Sequence, residues 1–160
     1  MQASPQASLE EEEEANKRVV KALYEALRSQ DVDTVHHLLA PHIEWWFHGP
    51  RYHHHHMMRL LTGTTTSPHQ SFTFKPLSFV AFGSTVLVEG HDSISWVHAW
   101  TVTHGIITQL REYFNTSVKV TRFGNSNVTS QSSSPSMKCQ SIWQSKLSDN
   151  SSVPGLVLAL

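Results

Sequence analysis

A chain of 160 residues with 39% hydrophobic content holds apolar material for one core and not for two. A net charge of −1 and a pI near 6.9, with twelve Lys and Arg scattered along the chain, exclude the clustered basic footprint that nucleic acid requires. A single cysteine, Cys139, excludes an internal disulfide framework, and the polar, acidic stretch from Met1 to Arg18 lacks the basic start and apolar run of a secretory signal. Cytoplasmic or nuclear residence without a membrane partner is the expectation.

Residues 1–9 read as disordered, and Glu10 to Glu14 as the acidic, solvated start of a helix; an acidic interaction tail is the other reading of that run. Val19, Val20, Leu23 and Leu27 fall at helical spacing. The polar break Arg28-Ser29-Gln30 follows, with Asp31 placed to cap a second helix that Pro41 stops. Ile43 to His48 is short, aromatic and bounded by Gly49-Pro50, which predicts a strand closed by a turn. Trp45 and Trp46 within it must point opposite ways, and either one can be the core residue. His53 to Leu61 is expected to form a short helix with Met57, Met58, Leu60 and Leu61 toward the core, and Thr62 to Ser71 a loop.

Phe72 to Val80 and Thr85 to His91 predict a hairpin around Phe82-Gly83-Ser84. Ile94 to His104 and Ile106 to Val120 predict a second around His104-Gly105. Pro76 implies an edge strand or a bulge. Helices first and antiparallel strands after give an α+β domain over residues 10–123. Residues 124–152 form a Ser-rich tail expected to be flexible, except where Ile142, Trp143 and Leu147 are spaced for a helical turn. Residues 153–160 are apolar again and must be covered by their own domain or a partner.

The order helix, turn, helix, strand in "ALRSQDVDTVHHLLAPHIEWWFHGP", with "MMRLLTG", "ISWVHAWTVTHGIITQLREYFNTSVKV" and "CQSIWQSKLSDNSSVPGLVLAL", resembles the plant wound-induced protein 1 and senescence-associated family. That family falls in the SnoaL-like branch of the nuclear transport factor 2-like superfamily. The resemblance implies a cone: helices packed over a strongly curved antiparallel sheet with a central pocket, commonly paired as a homodimer through the exposed sheet face. It implies a stress-responsive plant protein that binds a small hydrophobic molecule or acts as an interaction scaffold without catalysing a reaction. The alternative is a small-molecule isomerase, cyclase or hydrolase, since the fold carries many chemistries.

Period-two alternation puts Ile94, Trp96, His98, Trp100 and Val102 on one face, with Leu110, Glu112 and Phe114 sharing a face of the last strand and Leu87, Glu89 and His91 a face of another. In the resembled fold the bulky face is concave, which gives Trp45, His48, Trp96, His98, Trp100, Leu110 and Phe114 as pocket residues and His98, Glu112 and Glu89 as the candidates for acid and base work. The bland reading is that both carboxylates face water or pair structurally and that His98 is a bonded core histidine. The ketosteroid isomerases of the superfamily use a first-helix tyrosine, whose place falls on Leu23 with Tyr24 one residue off. Their protonated acid falls on His98 and their base near Phe47 or His48. His53 and His56, with His48 near, suit a metal in spacing, but four consecutive histidines cannot all face one ion. They read as a solvated run, so no metal and no cofactor is assigned.

Overall fold

The structure, a computed structural model, describes residues 4–51, 54, 56–57, 61, 74–92, 94–123, 139–146 and 156–160. Helix α1 spans Pro5–Ser29. It begins earlier than the acidic run suggests because Ser4 caps it, its hydroxyl accepting the Ala7 N–H at 3.2 Å, with a proline favoured in the first turn. The glutamates therefore lie beyond the first turn, and Glu13 has a different use. Its Oε1 accepts the Gly83 N–H at 2.8 Å, while Asn16 Nδ2 donates to the Gly83 carbonyl at 3.1 Å. Gln30, at φ 57°, ends the helix. Helix α2 spans Val32–Leu38 under the Asp31 cap, whose Oδ1 accepts the Thr34 N–H at 3.2 Å.

Strand β1, Leu39–His48, follows directly, with Pro41 inside it. The proline is tolerated because β1 lies at a sheet edge and its register shifts between Leu39 and Glu44. Strands β2 (Pro76–Phe82), β3 (Thr85–Asp92), β4 (Ile94–Thr103) and β5 (Ile106–Phe114) form an antiparallel meander. His104 and Gly105, at φ 50° and 78°, make the β4/β5 turn with two consecutive left-handed residues, the twist a tight hairpin prefers. Pro76 sits on the other edge strand, beside a register shift.

The sheet order is β1-β5-β4-β3-β2, and β1 pairs with β5 in parallel. The sheet is thus mixed and open where an antiparallel one was expected, because a long crossover separates β1 from the meander and permits parallel pairing. The expected strand from Ile106 to Val120 also breaks. Asn115 adopts φ 55°, a conformation asparagine tolerates better than most residues, and the chain turns away. It re-emerges as β6 (Val118–Phe123) in a second sheet of order β7-β6-β8, with β7 at Cys139–Gln144 and β8 at Leu156–Ala159. Ile142 and Trp143 therefore stand on a strand and not on a helical turn, since pairing with β6 satisfies their backbone; Leu147 lies outside the described residues.

Two cores result. One joins Val20, Leu23, Tyr24 and Leu27 of α1 to Val86, Val88, Trp96, Trp100, Leu110 and Phe114 of the large sheet, with Met57 and Leu61. The other joins Leu87, Val97, Ala99 and Tyr113, on the opposite sheet face, to Val118, Val120 and Leu158. Leu158 carries the docking of the apolar end, because β8 has one ladder, to β6, and Val157 beside it is exposed. Replacing Leu158 by Ala is expected to lower unfolding stability by about 2 to 4 kcal/mol, read as a fall in urea midpoint at unchanged slope. An unchanged midpoint would mean that β8 contributes nothing to the outer core.

Candidate functional site

Alternation along β4 sorts its side chains between the cores: Trp96 and Trp100 face the helices, Val97 and Ala99 the second sheet. His98 falls on the helix side and stands directly across from Glu112 of β5. A continuous chain of hydrogen bonds runs through it. Trp100 Nε1–H donates to the Tyr24 hydroxyl at 3.0 Å, Tyr24 Oη lies 2.5 Å from His98 Nδ1, and His98 Nε2 lies 2.8 Å from Glu112 Oε2. Trp100, His98 and Glu112 are 0% exposed and Tyr24 6%.

Bond directions follow from counting protons. The Tyr24 oxygen accepts from Trp100, and the acceptor in reach of its own proton is His98 Nδ1. The imidazole therefore carries its proton on Nε2 and donates it to Glu112. Burial holds the Tyr24 phenol well above its ordinary range; the Trp100 hydrogen bond opposes this and the Glu112 charge adds to it. Tyr24 stays a donor. Phe74 closes over the group, its ring 4.8 Å from that of His98 and edge-on to Trp96 at 5.1 Å. Trp96 in turn lies on Gly90, where a Cβ would stand 2.2 Å from the indole, so only glycine fits that position of β3.

The predicted site residues are split by the fold. Trp96, His98, Trp100, Leu110, Glu112 and Phe114 do come together, but fully buried, as packed interior and not as the lining of an open central pocket. Glu89 is not among them. Its strand turns Val86 and Val88 toward the helices and Leu87 and Glu89 away, and Glu89 Oε1 accepts the Lys146 N–H at 2.8 Å at the end of β7. His48 is also on the outer face, stacked on Tyr113 at 4.9 Å, because Trp45 and Phe47 take the inner one. Burial, and then the Arg111 charge, lower the His48 pKa. Trp46 is 51% exposed with the Arg111 guanidinium over its ring.

Tyr24 is the participant that a count back from the Asp31 turn puts one residue out of place. Its signal lay in the helix itself, where Val20, Leu23, Tyr24 and Leu27 form one i, i+3, i+4, i+7 stripe.

Trp45 faces inward and borders a cavity of about 440 Å³ at the rim, between α2, β1 and Leu61. His36, Leu39, Pro41 and Ile43 line the rest of it. Among the described residues no three His, Cys, Asp or Glu side chains are placed to hold a metal ion; His53 and His55 lie outside those residues. Among them, too, no helix is long and apolar enough to cross a membrane.

Two helices over a mixed, open five-stranded sheet, with a sealed polar chain inside and an apolar cavity at the rim, define a small α+β domain. The chain belongs to the family described as Wound-induced protein WI12, which matches residues 58–160. Wound-induced protein 1 of Solanum tuberosum is 56% identical over 106 residues, covering 63% of this chain and 98% of that protein. Senescence associated gene 20 of Arabidopsis thaliana is 54% identical over 108 residues, covering 63% of this chain and 98% of that protein. An LEH-like epoxide hydrolase of M. tuberculosis shares the fold alone, at 24% identity and a TM-score of 0.50 over 64% of this chain and 84% of its own.

Replacing Tyr24 by Phe leaves Trp100 Nε1–H without an acceptor and His98 Nδ1 without a donor, at an expected cost of about 1 to 3 kcal/mol at neutral pH. The folded-state phenol titrates above the unfolded one, so the parent holds its full stability below about pH 10 and loses it as pH rises further. Denaturant titrations from pH 8 to 11 should show a shallower alkaline decline in Tyr24→Phe than in the parent. Parallel declines would mean that Tyr24 is not buried as described.

Proposed function

We propose that this wound-induced family member binds a small hydrophobic molecule in the rim cavity and carries out no reaction on it, in a stress-responsive plant role like that named for its relatives. The observation that carries the reading is the cavity itself. Its volume, about 440 Å³, falls in the range that small-molecule sites occupy, about 300 to 1,000 Å³, and its lining is aliphatic and aromatic apart from His36. The reading without chemistry is supported by the state of the acid and base pair at His98 and Glu112, which are 0% exposed and bonded to each other, with His98 also bonded to Tyr24.

Ala40 also lines the cavity, and a bulky residue there would fill it. Small hydrophobic plant metabolites screened by ligand-detected NMR should yield binders whose Kd rises at least about tenfold in Ala40→Trp. Binders indifferent to that change, or none at all, would remove the cavity reading and leave an interaction scaffold.

The His98–Glu112 pair at 2.8 Å is what favours the alternative, an isomerase, cyclase or hydrolase. Turnover of a bound metabolite that disappears in both His98→Phe and Glu112→Gln would establish it.

The proposal extends to a homodimer, with a changed surface. The second sheet occupies the middle of the outer face, so pairing would use the strip left open around Trp46. Light scattering at micromolar concentration should give twice the 18.1 kDa chain mass in the parent and a single chain mass in Trp46→Glu. A monomeric parent would dismiss the dimer.

A further inference from the structure

The outer face of the large sheet holds a second, smaller space. Ala99 is the short residue in a row that runs Leu87, Ala99, Arg111 across β3, β4 and β5, and β8 docks over that row through Leu158. A cavity of about 150 Å³ is left between Ala99 and β8. Small-molecule sites occupy about 300 to 1,000 Å³, so an apolar metabolite lacks room here. At the ~30 Å³ that each water takes up in the liquid, the space suits about five heavy atoms.

Hydrogen-bond donors stand on three sides of it, on Arg111 of β5, Thr85 of β3 and Ala159 of β8. Arg111 is half-buried and, among the described residues, forms no ion pair. Its guanidinium rests on the Trp46 ring and bonds the Tyr113 hydroxyl, whose pKa burial raises and that cation lowers. Five N–H donors less one for Tyr113 leave four. The Thr85 hydroxyl has no hydrogen bond among the described residues. On β8 the Leu156 and Leu160 N–H groups both reach the β6 side at 2.8 Å, so alternation turns the Ala159 N–H the other way, to the free edge of that sheet.

Negative charge is kept off the site. Thr101 Oγ1 donates to Gln109 Oε1 at 3.3 Å and Gln109 Nε2 to Glu44 Oε2 at 3.1 Å, which leaves Glu44 on the far side of Gln109. No Asp or Glu among the described residues lines the cavity. A cation, a hydroxyl and a main-chain N–H around so small a space make the donor set of an oxyanion. A flat carboxylate is met by a guanidinium alone, whereas donors on three sides match a tetrahedral ion.

We propose that the cavity between β4, β5 and β8 binds a phosphate group, with Arg111 supplying the charge and Thr85 and the Ala159 N–H the flanking hydrogen bonds. The site lies on the opposite sheet face from the rim cavity and does not depend on it.

Inorganic phosphate, phenyl phosphate and acetate, titrated into the full chain near neutral pH at constant ionic strength, are followed by the backbone amide shifts of Ala159 and Arg111. Phosphate should move both saturably, and acetate should bind at least about tenfold more weakly. Arg111→Met, which keeps a stem on Trp46, should weaken phosphate about tenfold or more, and Thr85→Val, which keeps the shape, about fivefold, the losses of a charge-assisted and of an ordinary hydrogen bond. Phenyl phosphate binding no weaker than phosphate marks the group as the head of an organic phosphate, weaker binding marks it as the free ion, and either result supports the site. Shifts that do not saturate, acetate binding as tightly as phosphate, or an unchanged Kd in Arg111→Met overturns it. Should Arg111→Met fail to fold, an unchanged Kd in Thr85→Val overturns it instead.

Discussion

The hydrogen bond between Tyr24 and His98 ties the first helix to the centre of the sheet, and the rest of the interior is arranged around it. Apolar contact alone would not fix that helix, because hydrophobic burial is non-directional and a stripe such as Val20, Leu23 and Leu27 can slide or roll with little loss. A buried polar chain cannot. A small displacement of α1 would strand the Trp100 indole, the Tyr24 phenol, His98 and Glu112 together, each at the full desolvation cost of an unmatched group in a low-dielectric interior. A second polar pin, Glu13 and Asn16 on the Gly83 turn, fixes the same helix three turns earlier. Two pins and an apolar stripe between them set both register and rotation.

That anchoring decides where a ligand has room. In a cone the obvious cavity is central, but here Trp96, Trp100 and Phe114 fill the inner face and Phe74 closes over His98. The outer face is covered by Val118, Val120 and Leu158 of the second sheet, which leaves a smaller cavity of about 150 Å³ beside Ala99 and Leu158. Among the described residues a larger space remains where β1, an edge strand with a register shift and a proline, lies beside the short helix α2. The irregularity that Pro41 introduces and the rim cavity therefore share one place, and both follow from a strand that starts with no loop after a helix.

Local pattern made much of this legible. The Asp31 cap, the period-two faces of Ile94 to Val102, and the Gly83 and His104-Gly105 turns are decided by residues near one another in sequence, and the structure has them as read. What escaped depends on distant partners. The face of Glu89 relative to Glu112 is a question of how β3 and β5 are placed in one sheet, and alternation within each strand is silent on it. The parallel pairing of β1 with β5 and of β8 with β6 is likewise non-local. The break at Asn115 was carried by a single residue able to take a left-handed conformation inside a run of strand-forming neighbours. Tyr24 was visible as a stripe residue, but its role required knowing that His98 lay beneath it.

The same placement limits what the fold can lend to this chain in chemistry. Acid and base work by two carboxylates with a histidine requires those groups to converge. In this chain Glu112 is inside, Glu89 is across the sheet holding the Lys146 backbone, and Arg111, between them in sequence on β5, turns outward to Trp46. The position that carries a protonated acid in the ketosteroid isomerases holds His98, bonded on both nitrogens. Tyr24, one residue from the place of the isomerases' first-helix tyrosine, directs its proton at that imidazole and not at a space where a substrate oxygen could lie. A donor already spent on a neighbour at 2.5 Å has to be released before it can stabilise anything else, and release would cost the pin that holds α1. The residues most suggestive of catalysis are thus the ones that stability ties down.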